Sequence, residues 1–236
     1  MDTVDNVALR LVRRLLGLPF VLFVRRLRSD STLGLTPNEA DALQSIRLAG
    51  GSIYGDRFRE LCAFWNVRSL ECFLFLARNG WPFSRRLRDT LMAGFDGNTA
   101  PGKLGTAYDR LAFHYSVQLM LSMHRGQWLV PFLSDIRYFL PDVKNSRVLD
   151  YGCGVSDMGL ILAKMGAIVT IADLDNRKLD FTEWRYKRRS LVCQRLGVED
   201  TETIPDLAAA SFDLVIATEI LEHVRDPLAL LKRFSA

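Results

Sequence analysis

The stretch VLDYGCGVSD, residues 148–157, joins a short apolar run, an acid and two glycines, and a helix-like segment follows it. A strand over its first residues would bring Gly152 and Gly154 to a turn, where missing side chains let a ligand approach backbone N–H groups at a helix start. The pattern therefore predicts either a cradle for a nucleotide-like cofactor or only a tight strand-to-helix connection.

The sequence from residue 146 onward alternates short apolar strands with helical segments. RVLDYG, AIVTIADLD and FDLVIATE are the strand-like pieces, and DMGLILAKMG and a charged segment are the helical ones. Such alternation predicts βαβ units and a parallel sheet with a ligand at the carboxyl ends of its strands. The expected fold class is α/β, with an all-helical amino-terminal region (1–140) before a Rossmann-like domain (141–236).

The clearest helix signal in the amino-terminal region is TPNEADALQSIRLAGG, residues 36–51. Thr36 and Glu39 have the spacing of a capping box, Pro37 suits the first helical position, and two glycines end the segment. Further helices are expected at about residues 57–78, 84–93, 108–125 and 127–140.

Aromatic residues recur at helical spacing through this region. They could line a substrate pocket, but such spacing more often fills a core, and we expect a core. They are Trp65, Trp81, Phe113, Tyr115, Trp128, Phe132, Tyr138 and Phe139.

Asp173 ends the second predicted strand, nineteen residues after Gly154. A carboxylate there can accept hydrogen bonds from a ribose diol, so the pair indicates a dinucleotide site or an adenosine-type site. The dinucleotide fingerprint needs a third glycine where this chain has Asp157, and a carboxylate beside a pyrophosphate would repel it. These residues favour a cofactor other than NAD.

Four segments resemble class I S-adenosylmethionine-dependent methyltransferases. VLDYGCG is similar to their motif I, VTIADLD to their second strand, VEDTETIP to the segment after the third strand, and FDLVIATEILEHVRDPLALLKRF to the fourth strand and its helix. Their order and spacing make the resemblance specific over roughly residues 146–236. Residues 1–140 show no such resemblance.

The resemblance implies S-adenosylmethionine as cofactor and methyl transfer to an O, N, C or S nucleophile of a small-molecule acceptor. It implies that Asp173 binds the ribose hydroxyls and that Asp200 reaches the adenine amino group. A cationic sulfonium tolerates carboxylates that a pyrophosphate would not. The cofactor-binding residues it implies are Asp150, Gly152, Gly154, Asp173, Asp200 and Thr218.

Two side chains beyond the fourth strand, His223 and Glu219, are the candidate general bases, because the resemblance puts the methyl group near them. The alternative is that they only begin a helix. Two other functions stay open: a non-catalytic interaction protein or fragment that retains the cofactor pocket, and an NAD-dependent oxidoreductase.

Charge and cysteine content limit the partners. There are 31 Lys and Arg against 27 Asp and Glu, and the basic clusters at 85–88 and 185–189 are typical of solvated helix faces, so no nucleic-acid partner is expected. The four cysteines form no CxxC pair and have no histidine at metal-ligand spacing. They predict reduced thiols, no metal site and a cytoplasmic location.

Residues 11–28, LVRRLLGLPFVLFVRRLR, place an apolar run between arginines. Its uninterrupted part has ten residues, whereas a bilayer needs about 20. A helix packed on the core is favoured, and a peripheral contact with an anionic membrane is the alternative.

The resemblance also implies three further strands after the fourth, and the sequence ends without them. The edge of the fourth strand would then be covered by a second copy in a homo-oligomer or by amino-terminal helices, unless the chain is a fragment.

Overall fold

The computed structural model describes residues 35–45, 53–68, 112–113, 115–117, 119–120, 126–199 and 205–235. The elements are α1 (Pro37–Ser45), α2 (Ile53–Trp65), α3 (Gly126–Phe139), β1 (Arg147–Tyr151), α4 (Asp157–Lys164), β2 (Ile168–Leu174), α5 (Arg177–Arg188), β3 (Gln194–Val198), β4 (Leu214–Ile216), a 3-10 turn (Leu221–His223) and α6 (Pro227–Phe234). Residues 112–113, 115–117 and 119–120 are also helical. The predictions for residues 11–28, for residues 84–93 and for Asp200 lie outside the described residues.

The strands form one parallel sheet in the order β3-β2-β1-β4. In β1, Val148 pairs with Val169 of β2 on one side and with Leu214 of β4 on the other. Because every pairing is parallel, the carboxyl ends of all four strands lie along the same edge. The expected Rossmann-like α/β sheet is confirmed.

The amino-terminal helices share a hydrophobic core with the sheet. Leu43 of α1 and Leu133 of α3 belong to the same buried cluster as Val148 and Val169. Burial of β1 on both faces explains its continuous apolar run. A domain boundary at residue 140 stays a prediction. The hydrophobic core includes residues from both sides of that position.

Local signals set the helix ends. The capping box is confirmed, since Thr36 N donates to Glu39 Oε2 at 2.7 Å and Glu39 N donates to Thr36 Oγ1 at 3.3 Å. The prediction of one continuous helix over residues 57–78 is wrong. Asn66 takes a left-handed conformation (φ 52°), and α2 ends at Trp65. The helix predicted at 127–140 is confirmed as α3 within one residue of its expected bounds.

Among the described aromatic residues of this region, some are packed and others are exposed, while Trp81 and the side chain of Trp128 lie outside the described part. Trp65 and Phe113 pack edge to face with ring centroids 5.5 Å apart, in the cluster that contains Phe181. Tyr138 and Phe139 instead have exposed fractions of 81% and 73%, so the expectation of a core is wrong for them. They pack on each other at the exposed end of α3, with centroids 5.1 Å apart.

The outer edge of β4 has no strand partner among the described residues. Pairing of this edge with a second copy stays a prediction, and light scattering tests it. No helix in the described ranges is long and apolar enough to cross a membrane.

Candidate functional site

The glycine turn, residues 152–156, connects β1 to α4 at the carboxyl edge of the sheet. Gly152 (φ +64°) and Gly154 (φ +56°) are both left-handed. A Cβ on Gly152 would lie 2.7 Å from Ile220 Cδ1, and a Cβ on Gly154 would lie 2.8 Å from Leu119 Cδ1. The left-handed conformation favours glycine at both positions, and at Gly152 the Ile220 side chain also leaves no room for a Cβ.

Asp173 of β2 is buried beside the glycine turn. Its Oδ2 accepts from Gly154 N at 2.8 Å, and its Oδ1 accepts from Leu174 N at 2.8 Å and Lys178 Nζ at 2.7 Å. A carboxylate has about four acceptor positions. These three hydrogen bonds leave one position on Oδ2 for a ligand hydroxyl, which fits the ribose contact that the resemblance implies.

Asp150 supports the glycine turn from within the protein. Its Oδ2 accepts a hydrogen bond from Ser156 Oγ at 2.6 Å, and that hydroxyl also lies 2.9 Å from Tyr186 Oη. Burial raises the pKa of Asp150 to about 7, and the hydrogen bond from Ser156 only partly opposes this rise. The carboxyl group is therefore placed to brace Ser156, which is itself left-handed at φ 51°.

Asp157, at the first position of α4, does not carry an uncompensated charge. Arg57 Nη2 bonds its Oδ2, and Arg185 Nη2 donates to its Oδ1 at 2.9 Å. Burial raises the pKa of Asp157, but the two guanidinium charges more than offset this effect and lower it. The expectation that the charge of Asp157 would repel a pyrophosphate is therefore wrong, because two arginines pair with that charge.

The basic cluster at 185–189 also differs from expectation. Arg185 has a fully buried side chain and Arg189 an almost fully buried one, so only part of this run is a solvated helix face. Because Arg57 and Arg185 are both bonded to carboxylates, neither supplies an uncommitted positive charge for a phosphate at the glycine turn.

Thr218, Glu219 and His223 follow β4 on the other side of the site. Glu219 is exposed and left-handed (φ 54°), and His223 lies in the 3-10 turn with a side chain 45% exposed. Ile220, between them, covers Gly152. Neither candidate base lies in α6, which begins at Pro227.

Two residues of the amino-terminal region approach the site: Tyr115, for which the sequence favours a core over a pocket, and Leu119, for which it predicts no role. Leu119 covers Gly154, and Lys178 Nζ lies 5.1 Å from the ring centroid of Tyr115. Burial raises the pKa of Tyr115, and the charges of Asp173, Glu222 and Glu219 raise it further. A spacing of four residues puts Tyr115 and Leu119 on the same helix face, but that periodicity predicted only a core.

Residues 149–235 match the model of a family described as a methyltransferase domain. This match agrees with the resemblance to class I S-adenosylmethionine-dependent methyltransferases. The family implies S-adenosylmethionine as cofactor, in agreement with the left-handed glycines and the acceptor position left on Asp173. It disfavours the NAD-dependent alternative.

Curated proteins are similar to part of this chain. A ubiquinone biosynthesis O-methyltransferase from Histophilus somni is 37% identical over 89 residues, which are 36% of this chain and 37% of the relative. Enzymes of the same name from Coxiella burnetii and Idiomarina loihiensis are 33% identical over 98 residues and 38% identical over 88 residues. These matches cover 40% and 36% of this chain. The chain spans 39% and 35% of those two relatives, and no solved structure matches it significantly.

Proposed function

We propose that the chain acts as an S-adenosylmethionine-dependent methyltransferase on a small-molecule acceptor. The observation that carries this proposal is the bond from Gly154 N to Asp173 Oδ2, which joins the glycine turn of β1 to the acid of β2. It brings a backbone cradle and a ribose acceptor together at the carboxyl edge of the sheet. The same arrangement is expected of the family that residues 149–235 match.

The glycine turn would hold the methionine end of the cofactor and Asp173 the ribose, while Asp150 keeps Ser156 in place. Thr218 and Asp200 are proposed as further cofactor contacts. The cofactor supplies a methyl group already activated by the sulfonium charge. The remaining task of the protein is to hold the acceptor in line, an effect that can contribute up to roughly 7–11 kcal/mol.

Glu219 and His223 are proposed to take the acceptor's proton. Glu219 directly precedes Ile220, whose side chain lies against Gly152, and His223 follows three residues later, which supports a position of both near the glycine turn. The left-handed conformation of Glu219 supports this role, because non-glycine residues in that conformation are concentrated at functional sites.

A hydroxyl group is the first acceptor chemistry to test, because the relatives quoted above are named O-methyltransferases. The experiment incubates the chain with methyl-labelled S-adenosylmethionine and matched phenols, aliphatic alcohols and amines. Label should pass to a hydroxylated compound. Glu219→Gln or His223→Gln should lower the transfer rate by about 10²–10⁴ if that residue is the base.

Asp135→Asn is the control, because Asp135 is an exposed residue of α3. Its transfer rate should equal that of the wild-type chain. Equal rates in all three variants would remove Glu219 and His223 from the mechanism, whereas transfer only to amines would contradict a hydroxyl acceptor.

A further inference from the structure

Five charged residues without a part in the mechanism above are buried together beside the glycine turn. They come from α2, α4, α5 and the residue that follows α5, and no side chain among them is more than 5% exposed. We call this set the arginine network: Arg57, Glu60, Asp157, Arg185 and Arg189.

The arginine network connects both carboxylate oxygens of Asp157 to other elements. Arg57 of α2 bonds one oxygen and Arg185 of α5 bonds the other. A buried carboxylate is strongly destabilising without partners, and the two guanidiniums together keep Asp157 charged at the start of α4.

A second set of bonds closes the network on the amino-terminal region. Arg185 Nε donates to Glu60 Oε2 at 3.2 Å, and Arg189 Nη1 bonds the other oxygen of Glu60. Glu60 lies in α2, one helical turn after Arg57. Two residues of α2 therefore contact the methyltransferase domain through charged hydrogen bonds.

The network also holds the backbone of the glycine turn. Arg185 Nη1 donates to the carbonyl oxygen of Val155, the residue before Ser156, and Asp157 is the residue after it. Ser156 is left-handed, a conformation that disfavours residues with a Cβ. Bonds on both sides of Ser156 thus hold the strained residue of the turn.

Arg57 extends the contact to the helical residues above the site. Its Nη1 donates to Met120 O at 3.3 Å, and the neighbouring Leu119 covers Gly154. One guanidinium therefore bonds both the start of α4 and the segment that lies over the glycine turn.

We propose that α2 is a positioning element for the cofactor, and that Arg57, acting through Asp157, fixes the glycine turn in its binding conformation. This inference rests on the proposed function, since it concerns the same cofactor site. It assigns residues outside the matched segment 149–235 to the cofactor-binding machinery.

The experiment compares Arg57→Met with Arg137→Met in the full chain. Each removes an arginine partner from a buried carboxylate, Asp157 in the first case and Glu39 in the second. Glu39 lies in α1, and its ion pair connects α1 to α3 rather than to the turn. Both variants lose an arginine bond to a buried carboxylate, but the Arg137 side chain is 39% exposed and the Arg57 side chain 2%.

Two measurements are made on each variant: hydrogen exchange of the amides of residues 152–156 without cofactor, and affinity for S-adenosylhomocysteine. Arg57→Met should speed exchange in the turn and weaken binding, each by about tenfold or more, because the turn loses a buried charged partner. Arg137→Met should leave both within about twofold of wild type.

Two further variants separate positioning from general stability. Arg57→Lys keeps a charge near Asp157 and should recover part of the affinity, and it replaces Arg57→Met if that variant does not fold. Arg57→Met combined with Asp157→Asn should lose less affinity than the product of the single effects, since one residue acts through the other.

Equal changes in Arg57→Met and Arg137→Met, in exchange and in affinity, would overturn the positioning role. Fully multiplicative losses in the double variant would do the same. A wild-type chain that binds no S-adenosylhomocysteine would instead contradict the proposed function, and the exchange rates alone would then decide whether α2 holds the turn.

Discussion

At the scale of single residues, replacing Gly154 or Gly166 distinguishes an effect on stability from an effect on cofactor binding. Both have positive φ, but a Cβ on Gly154 would meet Leu119 at 2.8 Å, whereas a Cβ on Gly166 would meet the flexible Lys144 side chain at 3.3 Å. Gly154→Ala and Gly166→Ala should each lower the free energy of unfolding by about 1–2 kcal/mol or more. Only Gly154→Ala should also weaken binding of S-adenosylhomocysteine.

Chemical denaturation and calorimetric titration of the two glycine variants measure these effects. Equal affinities in Gly154→Ala and Gly166→Ala would show that the cofactor does not approach the glycine turn.

Asp150 gives the protein a specific dependence of stability on pH. Its folded pKa of about 7 exceeds the ordinary value of 3.8, so the folded state binds this proton more tightly than the unfolded chain does. The resulting stabilisation is complete below about pH 4 and is lost as the pH rises toward about 7. A difference of about three pH units corresponds to roughly 4 kcal/mol.

Asp150→Asn should therefore flatten the change in unfolding free energy between about pH 5 and about pH 7. Asp213→Asn is the control, because the hydrogen bond from the Arg147 side chain lowers the pKa of Asp213 to about 2. Its contribution is lost only as the pH falls below about 4. Denaturation curves at several pH values measure this dependence. If the unfolding free energy of Asp150→Asn changed with pH as steeply as that of the wild-type chain, a buried, protonated Asp150 would be contradicted.

Some site residues could be predicted from the sequence and others could not. Gly152, Gly154 and Asp173 stand out because a βα turn and a strand-end acid have a fixed separation along the chain. The partners of Asp157 do not, because Arg57 is 100 residues away and only tertiary packing brings the two together. Tyr115 is predicted as a core residue from its helical spacing, which carries no information about its contact with Lys178.

At the scale of elements, the amino end of α6 shows how a local signal fixes a boundary. Asp226 Oδ1 accepts from Ala229 N at 2.8 Å, and Pro227 occupies the first turn. Asp226→Ala should lower the free energy of unfolding by about 1 kcal/mol, while Asp226→Ser should retain most of it. Denaturation measures both, and equal losses in the two variants would show that the cap does not stabilise α6.

Elements were predictable where signals of several kinds coincide. The capping box of Thr36 and Glu39 fixed the start of α1, and alternating apolar runs located β1 and β2. The end of α2 was missed, because Asn66 has a modest intrinsic preference for the left-handed conformation and the residues after it continue an apolar helical pattern.

At the scale of the whole molecule, α1 and α3 share a hydrophobic core with the sheet. The arginine network adds charged contacts between α2 and the domain that follows residue 140. The family match begins only at residue 149. The structure therefore reveals contacts between the amino-terminal helices and the glycine turn that the resemblance does not imply.

A calorimetric titration of the full chain with S-adenosylhomocysteine and, separately, with NADH tests the cofactor site most directly. We expect saturable binding of S-adenosylhomocysteine and none of NADH. Asp173→Ala should weaken that binding by roughly 1.5–3 kcal/mol, the value of hydrogen bonds to a charged acceptor. Binding of NADH without S-adenosylhomocysteine, or an affinity unchanged in Asp173→Ala, would contradict an S-adenosylmethionine site at the glycine turn.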